Sequence, residues 1–262
     1  MKVLRSTAVA FAQYSRIPVP RFEWREEDVR YSLSAFPLVG AVTGVLFYAV
    51  FVLCRRFALP DTAAALLLTA VPLLVTGGFH VDGFMDTADV LSSYGTKEEK
   101  LTILKDPHIG AFAVIRLAVC GLVFIASLIT LLASDEPMNR VICTAAVFVL
   151  ARSLSAVSVL TFRSAKNEGM LYYEASSAAG GRSVNLVFSF IWAALASVLM
   201  VYYGKTAGIA GIAAAVLSFV WYKYKSYKEF GGITGDTAGY FVVICETAVA
   251  AAAAMAAVLV AV

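Results

Sequence analysis

Charged residues are scarce in this chain. Only 15% of its 262 residues are Asp, Glu, Lys or Arg, whereas a soluble domain carries about 25%. Sixty per cent of the residues are hydrophobic, and the mean hydropathy is +0.80. Such a composition cannot cover a globular surface with water-compatible groups, so it excludes an ordinary soluble domain. It indicates a protein that crosses a membrane several times.

Cysteine and histidine are also few. The four cysteines are widely spaced and form no CxxC or Cys/His ligand pattern (Cys54, Cys120, Cys143 and Cys245). This excludes a zinc site and indicates packed thiols in a reducing compartment. No basic stripe interleaves with aromatic residues, so no nucleic acid partner is expected. The basic start is followed only by a short apolar stretch that ends in prolines, so no cleavable signal is expected.

Long apolar runs are what the chain does have. A spanning helix needs about 20 apolar residues, and seven runs approach or exceed that length. We therefore predict an all-α, polytopic helical bundle with about seven transmembrane helices in one membrane-embedded domain, 1–262, with 1–32 as an interfacial segment. The second run is short enough to be re-entrant instead. The runs are 33–54, 61–77, 111–133, 138–161, 184–203, 206–222 and 237–262.

The basic residues are divided unequally between alternate loops. Fifteen lysines and arginines lie in 1–32, 77–110, 162–183 and 223–236, and four lie in the intervening loops. Because cytoplasmic loops carry the excess of positive charge, we predict a cytoplasmic N-terminus and an external C-terminus. The chain is expected to be a multi-pass protein of a bacterial or archaeal cell (inner) membrane.

Three aspartates follow a helical spacing in "GGFHVDGFMDTADV". Asp82, Asp86 and Asp89 fall within about 60° on one helical face. Like charges on one face repel, more so beside a membrane, so a cation is expected among them. Oxygen ligands together with substrate phosphates are typical of Mg²⁺. His80 would point away from this face on a continuous helix, so we expect it in the turn before the helix. The alternative is a solvated polar face at a helix end.

Two more motifs lie at predicted span ends. "KDPHIGAF" places Lys105, Asp106 and His108 just before the third span, where they are candidate substrate-binding residues or an ordinary turn. "GGITGDTAGY" places Asp236 at the mouth of the seventh span. Asp236 is a candidate fourth metal ligand, with a helix N-cap as the alternative.

Two ionisable residues lie inside predicted spans. Arg152 is within the fourth, and Glu246 lies in the seventh, about 15 Å along the helix from Asp236. Charges in the membrane are costly and usually face a cavity or a partner. We therefore take both as candidate substrate-binding residues, with a structural ion pair between them as the alternative.

Several stretches resemble the successive signatures of one family. "GGFHVDGFMDTADV", "KDPHIGAFAVIRL" and "GGITGDTAGYFVVICE", preceded by "AFAQYSRIPVP" and "SAFPLVGAVTG", are similar to cobalamin synthase (adenosylcobinamide-GDP ribazoletransferase). The resemblance runs in order over about residues 8 to 246. The histidine-and-aspartate motif is its most specific part.

The resemblance implies an Mg²⁺-dependent phosphotransferase of cobalamin biosynthesis. It would join adenosylcobinamide-GDP and α-ribazole, or its 5′-phosphate, to give adenosylcobalamin, or its 5′-phosphate, and GMP. Segment 77–110 would then be the cytoplasmic active-site segment. Carried over to this chain, the family's site consists of His80, Asp82, Asp86, Asp89, Lys105, Asp106, Asp236 and Glu246. Many relatives carry arginine at the position of His108, so this chain departs from the pattern there.

The helical spacing assigns Asp82, Asp86 and Asp89 to the metal, and the resemblance implies that Asp236 joins them. Proton removal is assigned to Asp89 or His80, with Asp89 favoured because it shares the acidic face. A homo-oligomer, or association with other corrinoid-assembly enzymes, is left open.

Other classes of membrane protein remain as alternatives. In a transporter the same acids would form a cation or proton pathway, but we find no internal repeat of the kind that transporters often show. The reaction is also analogous to that of CDP-alcohol phosphotransferases. Their motif runs Asp-Gly-x-x-Ala-Arg, whereas here Asp82-Gly83 is followed by Asp86 with no Ala-Arg.

Overall fold

The computed structural model describes residues 2–106 and 108–261, which form helices and no β-strand. A 3₁₀ turn, Ala179–Gly181, joins the ninth helix to the tenth. The α-helices in chain order are α1 (Lys2–Tyr14), α2 (Glu26–Val29), α3 (Ser32–Arg56), α4 (Asp61–Thr76), α5 (Phe79–Val90), α6 (Lys97–Ile103), α7 (Ala111–Leu132), α8 (Pro137–Thr161), α9 (Met170–Ala178), α10 (Arg182–Gly204), α11 (Thr206–Phe230) and α12 (Gly235–Ala261).

Six helical units in the described part of the chain are long and apolar enough to cross a bilayer. They are α3, α7, α8, the α9–α10 unit, α11 and α12. The bent pair of α4 and α5 makes a seventh if it is counted as one span. The prediction of an all-α, multi-pass membrane bundle is therefore confirmed.

Most predicted span limits agree with the helices to within about two residues. The exception is the sixth run, predicted to end at 222, because α11 continues to Phe230. Hydropathy marks only the apolar part of a helix, whereas backbone hydrogen bonding continues through the last turns, which carry lysines. Val262, the end of the last predicted span, lies outside the described residues.

The second apolar run does not continue straight. It ends at Thr76, and Gly77 and Gly78 follow with φ of +64° and +81°. Glycine adopts this left-handed conformation without steric cost. Helix α5 then begins at Phe79 at an angle of 95° to α4. The acidic stretch is thus a separate short helix at a sharp turn, and α4 with α5 forms either a broken span or a re-entrant segment rather than a straight span.

The core lies around α8, which packs between α3 and α10. A Cβ atom at Gly40 or Gly44 would lie within 3 Å of backbone atoms of α8, so small residues allow the close helix contact that is common in membranes. Helix α1 buries Val9 and Ala10 completely and packs on α3. The N-terminal segment therefore contributes to the core, and its interfacial position relative to the bilayer stays a prediction.

Candidate functional site

The three aspartates of the acidic stretch lie on α5, as their spacing predicts. Asp82 is exposed, and Asp86 and Asp89 are partly exposed. The opposite face of the helix is buried through His80, Phe84 and Ala88. Burial of this apolar face orients the carboxylates away from the bundle interior.

Asp236 joins this group from the far end of the chain. A Cβ at Gly83 would lie 2.9 Å from the Cα and carbonyl oxygen of Asp236, so only glycine lets α12 approach α5 this closely. The Asp86 carboxylate interacts electrostatically with Asp82, Asp89 and Asp236. Packing of two helices therefore assembles four acids that the sequence places in two separate motifs.

The N-cap alternative for Asp236 is wrong. Helix α12 begins at Gly235, so Asp236 already lies in its first turn. The preceding Thr234 takes the capping role, because its Oγ1 accepts from the Thr237 N–H at 3.2 Å. The Thr237 hydroxyl in turn accepts from the Thr234 N–H at 2.8 Å. The Asp236 carboxylate therefore does not cap the helix, and its Oδ2 accepts a hydrogen bond from the Thr234 hydroxyl at 3.4 Å.

No lysine or arginine forms an ion pair with these four aspartates among the described residues. Within that part of the chain, no three His, Cys, Asp or Glu side chains are arranged to hold a metal ion by themselves. Mg²⁺ needs less, because it is usually bound by one or two carboxylates plus substrate phosphates and water. The all-oxygen donor set therefore fits Mg²⁺, while the four-aspartate ligand set stays a prediction.

Asp89 occupies the other end of the acidic face. It lies about 10 Å along α5 from Asp82. A Cβ at Gly110, the N-cap residue of α7, would overlap the Asp89 carboxylate. The third span therefore starts directly against this acid, and Gly110 is the residue that leaves it room.

A cavity of about 250 Å³ opens beside Asp82 and Asp236. The loop after α8 also lines this cavity and contributes Lys166 and Glu168. A parallel bridge holds this loop to the segment before Asp236, with the Ala165 N–H donating to the Ile233 oxygen at 2.8 Å. Lys166 interacts electrostatically with Asp236. Sequence reasoning missed Lys166, since its only signal was a basic residue in a loop on the same side.

Lys105 lies in a neighbouring cavity of about 310 Å³, which also contacts Lys166 and Glu168. Its ammonium forms an exposed ion pair with Glu168 at 2.8 Å, and this hydrogen bond lowers the pKa of Glu168. The structure places Lys105 one cavity away from Asp82 and Asp236, and its predicted contact with substrate stays a prediction.

Asp106 and His108 contact each other. The His108 N–H and the His108 ring Nδ1 lie 3.0 Å and 2.6 Å from Asp106 Oδ1. The backbone hydrogen bond is the main reason that the pKa of Asp106 is lowered. Both side chains are exposed, and neither lines the cavity of the aspartates. These local contacts agree with the alternative that the motif is an ordinary turn. The substrate-binding roles of Asp106 and His108 stay a prediction.

His80 is not in a turn, and that expectation is wrong. It is the second residue of α5, is 5% exposed, and packs against Tyr14, Phe36 and Phe79. Gly77 and Gly78 form the turn, and helix α5 begins at Phe79, one residue before His80. Its ring therefore points away from the acidic face, as the helical spacing requires.

Arg152 and Glu246 form an ion pair inside the bundle. Arg152 is fully buried, and its Nη1 donates to Glu246 at 2.7 Å and to the Phe148 oxygen at 2.9 Å. The two residues line a cavity of about 110 Å³ together with His80. This cavity does not include the aspartates. The ion-pair alternative for these two residues is confirmed, and their contact with substrate stays a prediction.

A model of one protein family covers nearly the whole chain. The model of cobalamin-5-phosphate synthase matches residues 6–254. This chain belongs to that family. Three similar relatives are each named adenosylcobinamide-GDP ribazoletransferase. The relative from Lachnoclostridium phytofermentans is 42% identical over 94% of this chain and 92% of its own length. Those from Desulfitobacterium hafniense and Clostridium perfringens are 31% and 29% identical, over 94% of this chain and 95% and 96% of theirs.

No solved structure matches the chain significantly. The resemblance seen in separate motifs of the sequence is confirmed over residues 6–254.

Proposed function

We propose that this chain is an adenosylcobinamide-GDP ribazoletransferase of cobalamin biosynthesis. It joins adenosylcobinamide-GDP and α-ribazole, or its 5′-phosphate, to give adenosylcobalamin, or its 5′-phosphate, and GMP. The observation that carries the proposal is the cavity that Asp82, Asp236 and Lys166 line together. Carboxylates for a metal ion and a lysine for phosphate oxygens are the groups that a metal-bound diphosphate requires.

We propose Mg²⁺ as the cofactor, held by Asp82, Asp86 and Asp236, with Asp89 at the end of the same face. When bound, Mg²⁺ would neutralise charge on the diphosphate and favour attack at phosphorus. The absence of ion-paired cations around these acids among the described residues supports this assignment.

The reaction needs one proton transfer. A ribose hydroxyl of α-ribazole forms a bond to the phosphorus that bears cobinamide, and the bond from that phosphorus to the bridging oxygen breaks. GMP leaves with the bridging oxygen and its electron pair. The hydroxyl proton passes to a base, for which we propose Asp89. His80 is the weaker candidate, because its ring faces the bundle interior rather than the acids.

Lys166 is proposed to bind the diphosphate. Lys166→Ala should remove a charge-assisted contact of about 1.5–3 kcal/mol, or roughly 10- to 150-fold in kcat/KM for adenosylcobinamide-GDP. Lys105→Ala is the comparison variant and should cause the smaller loss, since Lys105 lies in the neighbouring cavity and not in that of Asp82 and Asp236. Steady-state rates at subsaturating adenosylcobinamide-GDP show which of the two lysines contributes more to diphosphate binding. A larger loss in the Lys105 variant than in the Lys166 variant would reverse the assignment.

The proposed orientation has its own test. We propose that the protein lies in the bacterial or archaeal inner membrane with the acidic face toward the cytoplasm. In a cysteine-free background, Tyr94→Cys should react with an impermeant maleimide only after cells are opened, whereas Asp135→Cys should react in intact cells. Both positions are exposed. Labelling of position 94 in intact cells would contradict both the topology and a cytoplasmic active site.

A transporter is the alternative from another class, and an assay in detergent separates the two. Transfer requires no sealed compartment, so purified protein in detergent should release GMP from adenosylcobinamide-GDP when α-ribazole and Mg²⁺ are present. Absence of release in detergent, with substrate-dependent ion flux in sealed vesicles, would favour the transporter.

A homo-oligomer, or association with other corrinoid-assembly enzymes, stays a proposal that size analysis of the purified protein addresses.

A further inference from the structure

The cavity of Asp82 and Asp236 has a neighbour to which the proposed reaction assigns no part of a substrate. This neighbouring cavity of about 310 Å³ is lined by two residues of α6, by Lys105 and by residues 166–168 of the loop after α8. Lys166 and Glu168 line both cavities, so the two spaces adjoin at these side chains. A ligand whose diphosphate lies in the first cavity can therefore extend into the second.

The size of the neighbouring cavity suits a fused-ring base. A cavity of about 150 Å³ is known to hold benzene, and this cavity of about 310 Å³ has room for a second ring. Leu101, a partly buried residue of α6, lines it and offers an apolar contact to the face of a flat ring. A corrin, which joins four five-membered rings in one macrocycle, is too large for the same space.

The Glu168 carboxylate limits which base can bind there. Its Oε1 accepts a hydrogen bond from Lys105 Nζ at 2.8 Å. This bond, together with the charges of Lys105 and Lys166, lowers the pKa of Glu168 and keeps the carboxylate ionised. An ionised carboxylate only accepts hydrogen bonds, and its two oxygens offer about four acceptor positions. The cavity therefore favours a base that presents donors.

Guanine is the common base whose edge matches such a group. Its N1–H and its 2-amino group are adjacent donors, spaced to bond both oxygens of one carboxylate. Adenine and cytosine place an acceptor nitrogen beside their amino group, and uracil has a single N–H between two carbonyls. The benzimidazole of α-ribazole has no N–H once it is attached to ribose, so its free ring nitrogen is an acceptor that an ionised carboxylate does not bind.

We propose that the cavity of Lys105 and Glu168 holds the guanine base of the donor nucleotide, with the Glu168 carboxylate accepting hydrogen bonds from guanine N1–H and the 2-amino group. The assignment rests on the proposed function, in which GMP is the leaving group. Cα atoms two residues apart are separated by at most about 7 Å, and the side chains of Lys166 and Glu168 extend this reach toward the length of a nucleotide. One loop would then bind the diphosphate through Lys166 and select the base through Glu168.

Two nucleotides that differ in one group test this recognition directly. GDP carries the 2-amino group, and in IDP a hydrogen replaces it. Calorimetric titration of the purified full-length protein with Mg²⁺ present should show saturable binding of GDP. IDP should bind at least about tenfold more weakly, as expected for loss of a hydrogen bond to a charged group. This comparison requires no variant, so it does not depend on whether a variant folds.

Glu168→Gln tests the residue assigned to the base. Glutamine keeps the shape of the side chain but places an amide N–H where guanine needs an acceptor. The affinity for GDP should fall by at least about tenfold and the affinity for IDP by less, so that the two bind within about threefold of each other.

Two other variants are the controls for Glu168→Gln. Lys166→Ala should weaken GDP and IDP by the same factor, because both carry the diphosphate. Glu98→Gln makes the same charge change at an exposed position of α6 that does not line the cavity, and it should bind both nucleotides as the wild type does.

Kinetics separate this inference from the proposed function. Glu168→Gln should raise the KM for adenosylcobinamide-GDP and leave the KM for α-ribazole unchanged. Equal wild-type affinities for GDP and IDP, absence of saturable GDP binding, or undiminished discrimination in Glu168→Gln would each overturn the inference, even if turnover is normal. Selection of GDP that depends on Glu168, without any transfer activity, would instead overturn the proposed function.

Discussion

Asp86→Asn is expected to abolish turnover while the protein still folds and inserts. Asp86 lies between Asp82 and Asp89 on α5 and interacts electrostatically with both of them and with Asp236. Asparagine keeps the shape but removes the negative charge and one strong metal donor. The loss in kcat should exceed the roughly 100-fold that is typical of losing a group that only supports a metal ligand.

The same change should not reduce stability. Removing one of several like charges relieves repulsion, so thermal unfolding of Asp86→Asn in detergent should occur at the wild-type temperature or above it. Glu98→Gln, an exposed acid on α6, is the matched control and should retain normal turnover. Near-normal turnover of Asp86→Asn at limiting Mg²⁺ would remove Asp86 from the metal site.

Arg152→Met is expected to cause the largest loss of stability. Arg152 is fully buried, and its partner Glu246 is 11% exposed at its side chain. Without the arginine, Glu246 would be left as an unpaired charge inside the bundle. Breaking a buried pair in this way costs about 3–5 kcal/mol. The change in the free energy of unfolding is measured by denaturing the protein in detergent while its tryptophan fluorescence is monitored.

A double variant distinguishes charge from packing as the cause. Arg152→Met combined with Glu246→Met removes both charges while keeping apolar volume, and such replacements are often neutral or stabilising. We therefore expect the double variant to recover most of the stability lost in the single variant. If the double variant is as unstable as Arg152→Met, packing around Arg152, and not the charge of Glu246, explains the loss.

The helices could be predicted from the sequence because each depends on local information. The apolar runs fix the spans, and the spacing of Asp82, Asp86 and Asp89 fixes their common face. The 95° bend was not predicted. Gly77 and Gly78 mark a turn in the sequence, but its angle depends on the helices that pack on either side of it.

The composition of the site depends on contacts between distant parts of the chain. The approach of Asp236 to Gly83 requires α12 to pack on α5, which no local pattern shows. For the same reason the sequence singled out Lys105, which lies within a motif, and missed Lys166, which lies in the aspartate cavity. The burial of His80 follows from its position on the side of α5 opposite the acids, but this position can be read from the sequence only if the helix is predicted to begin at Phe79.

The stoichiometry of products tests the central claim most directly. Purified protein in detergent is incubated with adenosylcobinamide-GDP, α-ribazole and Mg²⁺, and the corrinoids and nucleotides are separated by chromatography and identified by mass. We expect adenosylcobalamin and GMP to appear in equal amounts, and neither to appear when α-ribazole or Mg²⁺ is withheld. GMP formed without any new corrinoid would indicate hydrolysis of the diphosphate, and no product from folded protein would contradict transfer altogether.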